Sequence, residues 1–153
     1  MKFLMALVFS FSFAYSAEYK DFKTKYTIQT RTDFGSQVFY NCDSVENRVE
    51  RLLETLGAKN ISVRCTGGLD MWGNFHLPAR VTAKYSALSN EMINSGINTE
   101  LVEEKVRERN SCHLLNTSFN KLRKNFLIDS YKVRRCTSSN TRSNIRFTVL
   151  KEI

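Results

Sequence analysis

Four cysteines in a chain of 153 residues, Cys42, Cys65, Cys112 and Cys136, mark out two segments written to the same plan. Each opens on a cysteine, runs through an amphipathic stretch and a short basic one, and closes on Cys-Thr. After Cys42, Val45, Val49, Leu52 and Leu56 recur at helical spacing, and after Cys112 the same offsets hold Leu115, Phe119, Leu122 and Phe126. Ser62-Val63-Arg64-Cys65-Thr66 and Val133-Arg134-Arg135-Cys136-Thr137 then read as strand ends. The second carries one more arginine, which predicts a β-bulge near Arg134 and Arg135. The match favours a tandem pseudo-repeat over two unrelated amphipathic helices. Of the three pairings open to four cysteines, it favours two disulfides, Cys42 with Cys65 and Cys112 with Cys136. Each would close a loop worth roughly 3 kcal/mol in the chain-entropy picture. A four-cysteine zinc site would need a close cysteine pair, which is absent, so no metal and no cofactor are expected.

The chain begins with Lys2, an apolar run from Phe3 to Ala14 and then small residues, the pattern of a secretory signal peptide cleaved after Ser16. The run is too short to cross a bilayer core of about 30 Å, and no later stretch is apolar enough, so the mature chain is expected to hold no transmembrane segment. Localisation is therefore expected to be periplasmic or secreted, with residues 17–153 as a single exported domain. Disulfides suit that compartment.

The expected fold class is α+β: two strand-helix-strand-strand units, about 36–88 and 100–153, joined by a link at 89–99, with helices on one face of a mixed sheet. Val38-Phe39-Tyr40 reads as the first strand, Asp43 or Ser44 as the helix cap and Gly57 as its stop. A further strand is read at Tyr26 to Thr30. Val81, Ala83 and Tyr85, and later Ile145, Phe147 and Val149, alternate as the closing strands. The stretch before Cys112, near Val102 to Asn110, should supply a strand, although its composition also suits a helix. Strands joined through a helix run parallel, and a disulfide between their ends favours neighbours about 4.8 Å apart over a split arrangement with a third strand between them, unless Cys42 or Cys112 lies in the helix-entry loop and reaches across.

Formal charge is +8, and its distribution says more than its size. Residues 17–120 hold 13 basic and 13 acidic side chains, whereas residues 121–153 hold 9 basic and 2 acidic. Such asymmetry points to an anionic partner, a polymer or an envelope component. If the alternating apolar residues face the core, Arg64, Arg80, Lys84, Lys132, Arg134 and Arg146 belong to the opposite, helix-free face. Arginine grips planar oxyanions through paired donors. The plainer reading is a solvated face that keeps the sheet soluble. Tyr85 and Phe147 fall on the core side, leaving no stacking platform for bases.

Two further sites suggest themselves. The loop from Gly67 to Pro78 carries Trp72 and Phe75, which as exposed anchors would suit a protein partner or an inhibitor module, and as buried rings a lid over the core. Gly67-Gly68 lacks the lysine and hydroxyl of a phosphate loop. His76 and His113, the only histidines, are the weak catalytic candidates: with a lysine they form the set of groups that a small secreted nuclease uses for general acid–base chemistry, although no nuclease motif is present. Nucleophile elbows are absent, and Glu103 and Glu104 read as a solvated pair. Asn60-Ile61-Ser62 and Asn116-Thr117-Ser118 match the glycosylation pattern, the second on a predicted helix. Binding rather than catalysis is the leading expectation.

Overall fold

The computed structural model describes residues 19–30, 35, 37–69, 73, 75–89, 98–137 and 142–153, with backbone alone at 75–77. The expected signal peptide, Trp72 and most of the 89–99 link lie outside the described residues. The elements are β1 (Tyr19–Thr27), α1 (Cys42–Thr55), β2 (Lys59–Leu69), β3 (Phe75–Leu88), β4 (Thr99–Val106), α2 (Cys112–Leu122) with a 3₁₀ turn (Arg123–Asn125), β5 (Ile128–Val133) and β6 (Ile145–Glu152).

They form two three-stranded sheets, ordered β1-β3-β2 and β4-β6-β5, and every pairing is antiparallel. The single mixed sheet expected from sequence is thus replaced by two antiparallel ones. In each, the strands flanking the helix are parallel to one another but separated by the third strand, so the expectation that they are neighbours fails as well. The disulfides still form as expected, Cys42–Cys65 with Cα atoms 5.2 Å apart and Cys112–Cys136 at 5.7 Å. They do so because Cys42 and Cys112 are the first residues of α1 and α2, where Cys42 reaches Cys65 in β2 and Cys112 reaches Cys136 in the segment after β5.

Residues 38–40 are not a strand. They are extended backbone that ends in a bridge from Asn41 to Leu69, and the Leu69 amide donates to the Tyr40 carbonyl at 2.9 Å. The first strand lies earlier, where Phe22, Thr24 and Tyr26 alternate with Lys23, Lys25 and Thr27. Residues 99–106 are a strand despite their helical composition, because in register with β6 they set Val102 opposite Val149 and Val106 opposite Ile145. The bulge expected at Arg134 and Arg135 is absent. Register shifts instead at the starts of β2 and β5, between Lys59 and Ser62 and between Ile128 and Ser130, and again towards the end of β2, between Thr66 and Leu69.

α1 is capped by Asn41, not by Asp43 or Ser44. The Asn41 side chain accepts from the amides of both those residues. It ends at Gly57, φ +85°, where the amides of Gly57 and Ala58 donate to the carbonyls of Glu54 and Leu53, a Schellman closure. Val45, Val49, Leu52 and Leu56, and Leu115, Phe119, Leu122 and Phe126, are all buried as the spacing predicts. Leu53 and Leu114 are buried too, widening each stripe, as suits helices that also touch one another. Both helices and the inward faces of both sheets share one apolar cluster. Its seams are polar in places: the buried Tyr26 hydroxyl donates to Ser118 at 2.8 Å, and Asn125 donates to Tyr85 at 2.8 Å.

Candidate functional site: the basic sheet faces and the groove beside α2

Burying one face of each sheet leaves the other to solvent, and the register decides which side chains stand together there. On the first sheet Lys23 pairs with Lys84, Lys25 with Thr82, and Thr27 with Arg80, while β2 sets Arg64 opposite Thr82. Lys23, Lys25, Arg64, Arg80 and Lys84 are all exposed. The acid nearest this array in the register, Asp21, accepts from Ser86 at 2.6 Å across the β1–β3 pair.

The second sheet is more concentrated. Lys105, Arg146 and Lys132 form one row across β4, β6 and β5, with Arg107 following Lys105 and Arg134 following β5. The Lys105 ammonium is held below its ordinary value, by desolvation first and then by the neighbouring Arg107 and Arg146. Like charges directly opposite on adjacent strands are destabilising, and Glu103, two residues before Lys105 on the same strand face, offsets part of that repulsion and lines a depression with Lys132 and Arg146. A depression of about 340 Å³ is lined by Lys132, Arg134, Asn144 and Arg146. A second, of about 490 Å³, shares Arg134 and Asn144 and adds Arg107, Arg109 and Arg142. The Oδ1 atom of Asn144 is buried without a partner. Glu108 lines the second depression but is engaged by Arg48 at 3.5 Å.

Arg64, Arg80 and Lys84 therefore belong to one sheet, and Lys132 and Arg146 to the other, with Arg134 just beyond β5. The single face expected to gather all six is divided in two. Lys23, Lys25, Lys105 and Arg107 join the arrays without having been anticipated. The signal for the first two was the strict alternation of residues 22–26, and for the others a strand reading of residues 99–107.

A groove of about 900 Å³ runs beside α2, between the helix, the end of β1 and residues 133–137. His113 lines it, in the first turn of α2 next to the disulfide as expected. Asn116 donates to the Arg134 carbonyl at 2.9 Å, tying the segment to the helix. The His113 Nε2 and Asn116 Oδ1 atoms are buried without partners. His76 and Phe75 lie in β3, but their side chains, like Trp72, are outside the described residues, so no geometry joins His76 to His113. Both disulfides are formed, which leaves none of the four cysteines as a metal ligand. No helix among the described residues is long and apolar enough to cross a membrane. No family model, curated protein or solved structure matches the chain.

Proposed function

We propose that this chain is an exported, disulfide-stabilised binding protein, built of two pseudo-repeats, that holds an anionic polymer or envelope component against its basic sheet faces. The observation that carries the reading is the Lys105–Arg146–Lys132 row continued by Arg107 and Arg134 into adjoining depressions. Several guanidinium groups within one concavity suit phosphate or sulfate esters, each able to take paired donors. The two disulfides agree with an oxidising compartment. In favour of duplication, both sheets place the last strand of the unit centrally. The residue four after each helix-opening cysteine also makes the same kind of tie: Glu46 accepts from the Cys65 amide, and Asn116 donates to the Arg134 carbonyl.

Retention of the disulfide-bonded protein on heparin, lipopolysaccharide and nucleic-acid columns tests the function. At about 50 mM salt, retention on at least one column is expected, with log affinity falling linearly against log salt. Replacing Lys105, Lys132 and Arg146 by alanine should shallow that slope by roughly one per cation. Failure of the unaltered protein to bind all three columns rejects the proposal. The alternatives, a hydrolase using His76 and His113 and an interaction module using Trp72 and Phe75, turn on side chains outside the described residues.

A further inference from the structure

The basic sheet faces leave unexplained the α2 groove, which meets the first sheet at Thr27 and the second array at Arg134. We propose that this groove is a separate binding site for a sugar bearing a phosphate or sulfate ester. Among the described residues its lining includes Lys121, Arg134 and Arg135 and no carboxylate, so an anion entering it meets favourable charge there. Beside these cations stand Thr27, Gln29, Asn116, Thr117 and Asn120. Amides and hydroxyls both donate and accept, as sugar hydroxyls do, and five of them exceed what a bare oxyanion can use. Among the described residues no phenyl, phenol or indole ring lines the groove, so a nucleobase finds no such platform among them to stack on.

Two further observations mark the groove as more than a surface fold. His113 Nε2 and Asn116 Oδ1, from two of its lining residues, are sheltered from solvent and unpartnered. Unmet polar atoms are costly in a folded chain, and a ligand that draws the His113 side chain outward would satisfy it while Asn116 keeps its bond to Arg134. The wall opposite the helix is also held in place twice, by the Cys112–Cys136 disulfide and by the Asn116 bond to Arg134. A groove fixed in this way loses little entropy when it is filled.

Calorimetric titration of the full disulfide-bonded protein decides the matter, with glucose 6-phosphate, N-acetylglucosamine 6-sulfate, glucose, inorganic phosphate and adenosine monophosphate as probes. One or both sugar esters should bind at least about tenfold more tightly than glucose, phosphate or the nucleotide. Asn120→Ala with Lys121→Ala, two exposed helix positions, should weaken that binding at least about tenfold while the thermal melt stays unchanged. The Lys105, Lys132 and Arg146 triple variant should bind the ester as the unaltered protein does, so the two sites fail separately. No ester binding up to about 10 mM, equal binding of phosphate or the nucleotide, or ester affinity indifferent to the α2 substitutions would each overturn the proposal.

Discussion

Gly68 holds φ +72°, and a Cβ there would overlap the Tyr40 carbonyl oxygen, whose position is set by the bond it accepts from Leu69. Gly57 is also left-handed, at φ +85°, but a Cβ on it would meet only the flexible Lys151 side chain, at 3.2 Å. Gly57→Ala should therefore cost about 1 kcal/mol, and Gly68→Ala roughly 2–4 kcal/mol because backbone must move as well, as read from urea denaturation midpoints. Equal midpoint shifts would show that the Tyr40 contact is unimportant. Glu152 offers a second test. It accepts from Tyr19 at 2.7 Å and pairs with Lys59, and these bonds hold its carboxyl below the ordinary carboxylate value. A lowered folded value contributes stability above the unfolded value that is lost as pH falls through the folded one. Glu152→Gln should accordingly flatten the acid limb of the stability–pH curve and leave its shape near neutrality unaltered, as measured by thermal melts at stepped pH.

Among the elements, both helices could be read from their cysteines and apolar spacing, because that period reports which face is buried whatever covers it. The closing strands were equally legible. Ala83, Tyr85, Phe147 and Val149 face the core as their alternation required. The order of strands was not, since pairing across a sheet is a long-range choice that no local window contains. β4 shows the same limit. Glu104 falls on its inward-facing parity and is matched by Lys151 at 2.6 Å, a partner 47 residues away. One disulfide joins the start of α1 to the edge strand β2, and the other joins the start of α2 to the segment after β5 that flanks the groove. Replacing Cys112 and Cys136 together by alanine should cost about 3 kcal/mol by chemical denaturation, and should loosen hydrogen-exchange protection in residues 133–137 first.

For the molecule as a whole, the halves are bound through their interiors. Tyr85 stacks on Phe126 with ring centroids 5.4 Å apart, and Tyr26 meets Ser118 in the buried interior. Burial pushes the Tyr26 phenol well above its ordinary value, so it stays a neutral donor. Separate peptides covering 17–89 and 98–153 should therefore lack a cooperative thermal transition and regain one on mixing, if at all, only at high concentration. A sharp melt of either piece alone would show that each half has a sufficient core of its own. Charge is organised at the same scale. Residues 17–120 are neutral in sum, yet the fold gathers Lys23, Lys25, Arg64, Arg80 and Lys84 on one face, while Asp43, Glu46, Glu50 and Glu54 belong to α1.

What the amino-acid order determined alone is what depends on near neighbours: two amphipathic helices and the alternation of the closing strands, with the cysteine spacing favouring one disulfide pairing of three. Helix and strand periods are local properties of the backbone, so a few residues suffice to state them. What only the tertiary structure decided is which strand lies between which. That choice rests on the burial of apolar faces shared by distant segments, and it divided the basic residues between two sheets, brought Lys105 beside Arg146 and Lys132, and opened the groove beside α2.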